Sequence, residues 1–152
     1  MILKFNGPLQ MQINDIARVA EFMWQKGWAE RNAGNISVNI TDHIGDENRN
    51  LPAIVRIPLY HTVPELEGQF YYVTSAGSRM RDVARNPLDQ GLVTRVAAGG
   101  KSIDIIAERD LPPPLNCLRI YLCIKFLRKK PFLMVYLFRQ AEELYFIHIP
   151  RS

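Results

Sequence analysis

The first 110 residues of the sequence predict an α+β fold, with an N-terminal helix followed by a mainly antiparallel sheet. Three observations lead to this prediction. An amphipathic helical pattern precedes several short, strand-like apolar runs. The linkers between these runs are short, whereas a parallel neighbour needs a crossover of a dozen or more residues. The 152 residues, 47% of them hydrophobic, are enough for one domain with its own core.

The helix is predicted over residues 14–27. Asn14 or Asp15 is available as its N-cap, and Gly27 is a natural stop. Apolar or small residues recur there at helical spacing: Ile13, Ile16, Ala17, Ala20, Met23 and Trp24. One face of this helix is therefore expected to pack on the sheet.

The first strand is predicted in "NISVNI", residues 35–40. Ile36, Val38 and Ile40 alternate there with polar side chains, which is typical of a half-buried strand. Residues 42–52 are polar and turn-rich. The runs "AIVRIPL" and "QFYYVTS" then predict two further strands.

The next elements are a short helix and a hairpin. The stretch "SRMRDVARNP" predicts a helix that ends before Pro87, because the residue preceding a proline is disfavoured in the helical conformation. The runs "LVTRVA" and "SIDIIAE" are joined through Gly99 and Gly100 and predict a β-hairpin.

Composition changes near residue 111. Residues 1–110 carry 12 Lys and Arg against 13 Asp and Glu, whereas residues 111–152 carry 7 against 2, a net charge of +5. This tail also contains both cysteines and five of the ten prolines, but none of the nine glycines. We therefore divide the chain into 1–111 and 112–152. The tail is expected to be irregular or partly helical, with a helix over about 117–129.

The two cysteines, Cys117 and Cys123, do not indicate a secreted disulfide scaffold, and two cysteines alone cannot complete a zinc site. The start of the chain does not resemble a signal peptide. The longest apolar runs are far shorter than the roughly 20 residues that span a bilayer. We therefore expect a cytoplasmic protein without a transmembrane helix.

Two turns are rich in groups that bind anions. Asn32, Gly34, Asn35 and Ser37 supply amides, a hydroxyl and an approachable backbone, and "VTSAGS" at 73–78 is a similar turn at a strand end. The helix that follows would direct its N-terminal N–H groups the same way. Either turn alone is also explained as a structural turn that satisfies its own backbone.

With their flanks, the two turns resemble a known family. "WQKGWAERNAGNIS" and "FYYVTSAGSRMRDVAR" are similar to the N-terminal half of the rhamnulose-1-phosphate aldolases, in the class II aldolase and ribulose-phosphate epimerase family. The resemblance implies an incomplete class II aldolase-like α/β/α domain. It also implies five residues that hold the phosphate of a phosphorylated ketose or of dihydroxyacetone phosphate: Asn32, Gly34, Asn35, Ser75 and Gly77.

The resemblance further implies zinc-dependent cleavage of L-rhamnulose 1-phosphate by a homotetramer. In that family histidines hold the zinc and a glutamate moves the proton. This chain contains three histidines, His43, His61 and His148, in unrelated contexts, and each fits a surface or loop position better than a ligand position. We therefore assign neither catalytic nor metal-binding residues, and expect this chain to hold no zinc.

The family motifs "SELP" and "HTHP", which carry the glutamate and two metal ligands, are missing from the tail. Back-translation restores them. One nucleotide inserted after the second of the three consecutive prolines turns "LPPPLNCL" into a frame that reads "LPPTSELP". The same frame reads "HTHP" within "ELYFIHIPRS". Two motifs in family order and in one frame indicate that the tail, from about Pro114, is a frameshifted reading.

Two functional hypotheses follow. In the first, the chain is a truncated aldolase that is inactive alone and has neither a nucleic-acid nor a membrane partner. The alternative is a non-enzymatic module whose basic tail binds anionic membrane or nucleic acid. A third possibility is that the frameshift is a sequencing error, in which case the natural protein is an intact aldolase.

Overall fold

A computed structural model of the chain describes residues 3–27, 35–59, 62–75, 78–106, 133–139 and 143–149. For residue 35 and the last two ranges it describes the backbone alone.

The N-terminal helix α1 spans Gly7–Gln25 and so begins earlier than predicted. Asn6 is its N-cap, with a side-chain oxygen that accepts a hydrogen bond from the Leu9 amide at 2.8 Å. Pro8 in the first turn needs no amide partner, so "NGP" is a complete helix start. Asn14 and Asp15, the predicted caps, lie inside the helix. The predicted stop is confirmed, since Gly27 has a φ of 69° just after the last turn.

The described strands form one antiparallel sheet. Its strand order is β2-β5-β4-β3-β1-β6-β7. Each neighbouring pair is antiparallel, which confirms the mainly antiparallel prediction. The strands are β1 Asn35–Asn39, β2 Val55–Pro58, β3 Phe70–Thr74, β4 Gly91–Val96, β5 Ser102–Ile105, β6 Leu133–Arg139 and β7 Glu143–Ile149.

The sheet is buried on both faces at its centre. Every residue of β3 is buried. Phe70 and Tyr72 belong to the cluster formed with α1, while Tyr71 and Val73 belong to a second cluster on the other face. Alternate side chains of β3 thus pack into the two hydrophobic clusters on opposite faces of the sheet. Strand β3 is also the middle strand of the seven described strands.

The predicted hairpin of β4 and β5 is confirmed. Its connection is a 3-10 turn at Ala98–Gly100, with φ of 72° at Gly99 and 63° at Gly100. A Cβ at Gly100 would lie 2.2 Å from the backbone carbon of Val63. Glycine is therefore required there by both backbone conformation and space.

Two short helices join the strands. Helix α2, Asp46–Arg49, lies in the polar region predicted as a loop, and its buried Asn48 exchanges hydrogen bonds with the Lys4 backbone. Helix α3 spans Met80–Arg85 and ends before Pro87, as predicted. Among the described residues, no helix is long and apolar enough to span a bilayer.

The tail differs from its predicted irregular or partly helical form. Strand β6 pairs with β1, and β7 pairs with β6. Aromatic and β-branched residues such as those of "LMVYLFR" and "ELYFIHI" favour strands once a partner strand is available. The helix predicted over 117–129 lies outside the described residues.

Candidate functional site

Strands β1 and β3 place Asn35 and Ser75, one residue from each predicted anion-binding turn, at their adjoining ends. The strands are antiparallel neighbours, with Ser37 opposite Val73. The start of β1 therefore lies beside the end of β3, and the Ile36 amide donates to the Thr74 hydroxyl at 3.1 Å. Asn35 is the first residue of β1, and Ser75 follows β3 directly. Asn32, Gly34 and Gly77, the other three predicted site residues, lie outside the described residues.

Ser75 has a fixed backbone and an unpartnered hydroxyl. Its amide donates to the Gln90 carbonyl at 2.8 Å, and its carbonyl accepts from the Ser78 hydroxyl at 2.7 Å. The side chain is buried, yet among the described residues its Oγ has no hydrogen-bond partner. Such a hydroxyl is available to donate to a ligand oxygen.

Ser78 fits the structural interpretation of the second turn. Its hydroxyl and amide both bond to the Ser75 carbonyl, and so close the turn on itself. Helix α3 begins at Met80, after an Arg79 N-cap that makes no side-chain capping bond. The helix has only six residues, so we assign it no anion-binding terminus.

A scan against models of protein families finds no match. The chain is 42% identical over 113 residues to a rhamnulose-1-phosphate aldolase from Bacteroides thetaiotaomicron, covering 74% of this chain and 42% of that protein. It is 32% identical over 95 residues to a rhamnulose-1-phosphate aldolase from Yersinia pseudotuberculosis, covering 61% and 35% respectively.

A solved structure agrees with these relatives. A sugar-phosphate aldolase from Thermotoga maritima superposes with a TM-score of 0.64 and 25% sequence identity, over 86% of this chain and 54% of that one. The chain contains the N-terminal part of a class II aldolase. This confirms the predicted resemblance. The chain spans less than half the length of the curated aldolases that it matches.

The two histidines that the structure describes lie in different elements of this aldolase chain. His43 ends the 3-10 turn Thr41–His43, while His148 lies on β7 and His61 is outside the described residues. No group of three or more His, Cys, Asp or Glu within the described part of the chain can hold a metal ion. We therefore assign no metal centre to this part of the aldolase.

An ionic cluster that the sequence analysis missed lies on the sheet. Asp104 of β5 is 1% exposed and accepts from Arg56 Nε at 2.7 Å. The second arginine, Arg95, donates to Asp104 at 3.1 Å and also to the carbonyls of Arg49 and Leu51 at 2.9 Å. The hydrogen bond from Arg56 holds the pKa of Asp104 below its ordinary value. The sequence does contain a signal for this cluster, because each of the strand-like runs "VRIP", "TRVA" and "IDII" carries one charged residue among apolar ones.

Proposed function

We propose that this chain is the phosphate-binding part of a rhamnulose-1-phosphate aldolase. The intact form would cleave L-rhamnulose 1-phosphate to dihydroxyacetone phosphate and L-lactaldehyde. The observation that carries the proposal is the 42% identity over 113 residues to a protein of that name. Because the chain spans 42% of that relative, the cleavage reaction is proposed for the intact form only.

The proposed role of this part of the enzyme is to hold the substrate phosphate. The residues proposed to do so are Asn32, Gly34, Asn35, Ser75 and Gly77. Two observations support the assignment: Asn35 and Ser75 flank one end of the β1–β3 pair, and the Ser75 hydroxyl has no partner among the described residues. Hydroxyl, amide and backbone N–H donors would orient the phosphate by hydrogen bonds.

The metal and the proton carrier are proposed to come from the part that this chain lacks. When bound, zinc would polarise the carbonyl of the substrate. The described residues do not fit this ion, since they offer no group of three or more donors for it. We propose that this chain alone is inactive and holds no zinc.

We further propose that residues 112–152 are a frameshifted reading of the aldolase gene. Their lack of glycine, their net charge of +5 and the two family motifs recovered in one alternative frame support this. The relative from Bacteroides thetaiotaomicron matches 74% of the chain, and the unmatched quarter is as long as residues 114–152. Whether the break arose in nature or in sequencing, the intact gene would encode the active enzyme.

The test begins with the coding DNA around codons 112–116. We expect one inserted nucleotide there to open a frame containing "SELP" and "HTHP". The full-length product of the frame-restored gene is expected to release lactaldehyde from L-rhamnulose 1-phosphate and to bind one zinc per chain, whereas the 152-residue chain does neither. A coding strand that contains neither motif in any frame, or one tightly held zinc in the 152-residue chain, would contradict the proposal.

A second candidate function is favoured by the net charge of +5 in residues 111–152. The tail would then dock the protein on an anionic membrane or on nucleic acid. This candidate predicts salt-sensitive binding to anionic vesicles or DNA that is lost when residues 114–152 are deleted. Under the frameshift proposal, any such binding comes from the charge of the tail alone. It is then the same for a variant whose tail residues 114–152 are scrambled, and this variant is the control.

A further inference from the structure

Two buried serine hydroxyls stand out near the candidate site. Ser37 is 1% exposed and Ser75 is 3% exposed, and neither Oγ has a hydrogen-bond partner among the described residues. Nearby buried hydroxyls are satisfied: Thr74 accepts from the Ile36 amide, and Thr94 donates to the Tyr71 carbonyl at 3.3 Å. Because buried polar side chains are normally paired, the two serines require a separate explanation.

The two serines lie on one face of the sheet at its β1–β3 end. Ser37 is opposite Val73, and side chains two residues apart on a strand share a face. The bond from the Ser75 amide to the Gln90 carbonyl continues the β3–β4 ladder, so Ser75 keeps the side of Val73. Ser37 and Ser75 are thus diagonal neighbours, for which the typical Cα separation is about 7–8 Å.

Among the described residues, the Ser37 hydroxyl has no hydrogen-bond partner on this face. The opposite face of β1, which packs on α1, is occupied by Ile36 and Val38 of the main core. An unpaired hydroxyl that stays buried costs stability, and a hydrogen bond to a ligand oxygen would remove that cost on binding. A buried donor that is unsatisfied in the free protein is therefore typical of a binding site.

We propose that Ser37 is a further residue of the sugar-phosphate site. Its hydroxyl, together with that of Ser75, forms the floor of the site and hydrogen-bonds the oxygens of the bound phosphate. This inference rests on the proposed function, because it assumes that the end of the β1–β3 pair receives a phosphate. It adds Ser37, whose hydroxyl the sequence analysis included among the anion-binding groups of the first turn, to the five residues proposed above.

The test uses the 152-residue chain with dihydroxyacetone phosphate and, separately, inorganic phosphate, titrated by calorimetry or by phosphorus NMR. Ser37→Ala is expected to weaken binding of both about ten- to a hundredfold, since one hydrogen bond to a charged group is lost. The melting temperature of the free variant is expected to be unchanged or raised, because an unsatisfied hydroxyl has been removed.

Thr94→Val is the matched control. Thr94 is also a buried hydroxyl residue of the sheet, but its hydroxyl is paired. This variant is expected to lower the melting temperature and to leave phosphate affinity unchanged. If both variants weaken binding in proportion to lost stability, the role of Ser37 is structural and the inference is wrong.

The remaining outcomes separate the inference from the proposed function. If the wild-type chain binds phosphate and Ser37→Ala binds equally well, the inference is overturned while the proposed function stands. If the wild-type chain binds neither probe, the phosphate-binding function proposed for this chain fails, and the role of Ser37 fails with it.

Discussion

Asp104 and Ser37 are both buried polar residues in strands, but their surroundings differ. Asp104 accepts hydrogen bonds from Arg56 and Arg95, whereas the Ser37 hydroxyl has no partner among the described residues. A buried carboxylate with two cationic partners stabilises the fold only while those partners remain. Asp104 therefore stabilises the sheet, whereas Ser37 is a candidate ligand-binding residue.

Replacing Asp104 with Asn is expected to destabilise the protein by about 2–3 kcal/mol, because it leaves Arg95 partly buried without its counter-charge. Urea unfolding of the variant and the wild type measures the change. Asp15→Asn is the control, since the Asp15–Arg18 pair is exposed on both sides. That variant is expected to stay within about 0.5 kcal/mol of wild type. Equal losses in the two variants would contradict the role of Asp104.

The contribution of Asp104 is expected to depend on pH. Because its pKa in the folded protein lies below the ordinary value of 3.8, its contribution is fully present above that value. It is lost as the pH falls through the lower, folded-state pKa. The difference in unfolding free energy between wild type and Asp104→Asn should thus be constant from about pH 5 to 7 and shrink below about pH 4. A difference that persists undiminished at pH 2 would rule this out.

Gly91 is required by its neighbour Tyr72. A Cβ at Gly91 would lie 2.2 Å from the Tyr72 hydroxyl, which donates to the Pro87 carbonyl at 2.6 Å. Gly91→Ala is expected to cost about 1–3 kcal/mol, measured by chemical unfolding, because a packed core cannot take the added methyl group. Gly7→Ala, with open space around its Cβ, is expected to be neutral or slightly stabilising. A Gly91→Ala variant as stable as the wild type would show that the Tyr72 side chain can shift to make room for the methyl group.

Among the elements, α1 allows a direct test of where a helix begins. Asn6→Ala is expected to destabilise the protein by about 1 kcal/mol, because the bond from the Leu9 amide to its side chain is lost. Asn14→Ala removes an exposed side-chain contact with Gln10 inside the helix and is expected to change stability by less than about 0.5 kcal/mol. If Asn14→Ala lowers the melting temperature more than Asn6→Ala does, the helix start predicted at Asn14 or Asp15 is supported instead.

Short sequence patterns predict the positions of strands but not how the strands pair. Alternation in "NISVNI" and the two glycines of the β4–β5 connection predict those elements correctly, since both signals act over a few residues. The Asp104 cluster was missed because it depends on the register of three strands, which places Arg56 and Arg95 opposite Asp104. No local pattern specifies that register.

Among the residues whose side chains the structure describes, the two hydrophobic clusters lie between Leu3 and Ile106. A chain that ends after Ile106 would keep these clusters but leave β1 without β6. We expect it to unfold cooperatively and to associate as its concentration rises, because an unpaired strand edge is a template for pairing. Light scattering during size-exclusion chromatography measures this. A monomer at all concentrations would show that the β1 edge is protected in another way.

The oligomeric state of this chain is expected to differ from that of the intact aldolase. The homotetramer implied by the family is proposed for the intact aldolase, and this chain spans 42% of the length of its relative from Bacteroides thetaiotaomicron. We therefore expect its association to be governed by exposed strand edges rather than by a defined tetramer.

By itself the sequence determined the α+β class, the positions of β1, β3 and the β4–β5 hairpin, and the kinship with class II aldolases, because these depend on local periodicity, turn residues and short motifs. Only the tertiary structure decided that β1 and β3 are neighbours, that Asp104 is paired, and that the hydroxyls of Ser37 and Ser75 share one face without partners. Those facts arise from pairing between residues distant in the chain, which hydrophobic burial and strand register select together.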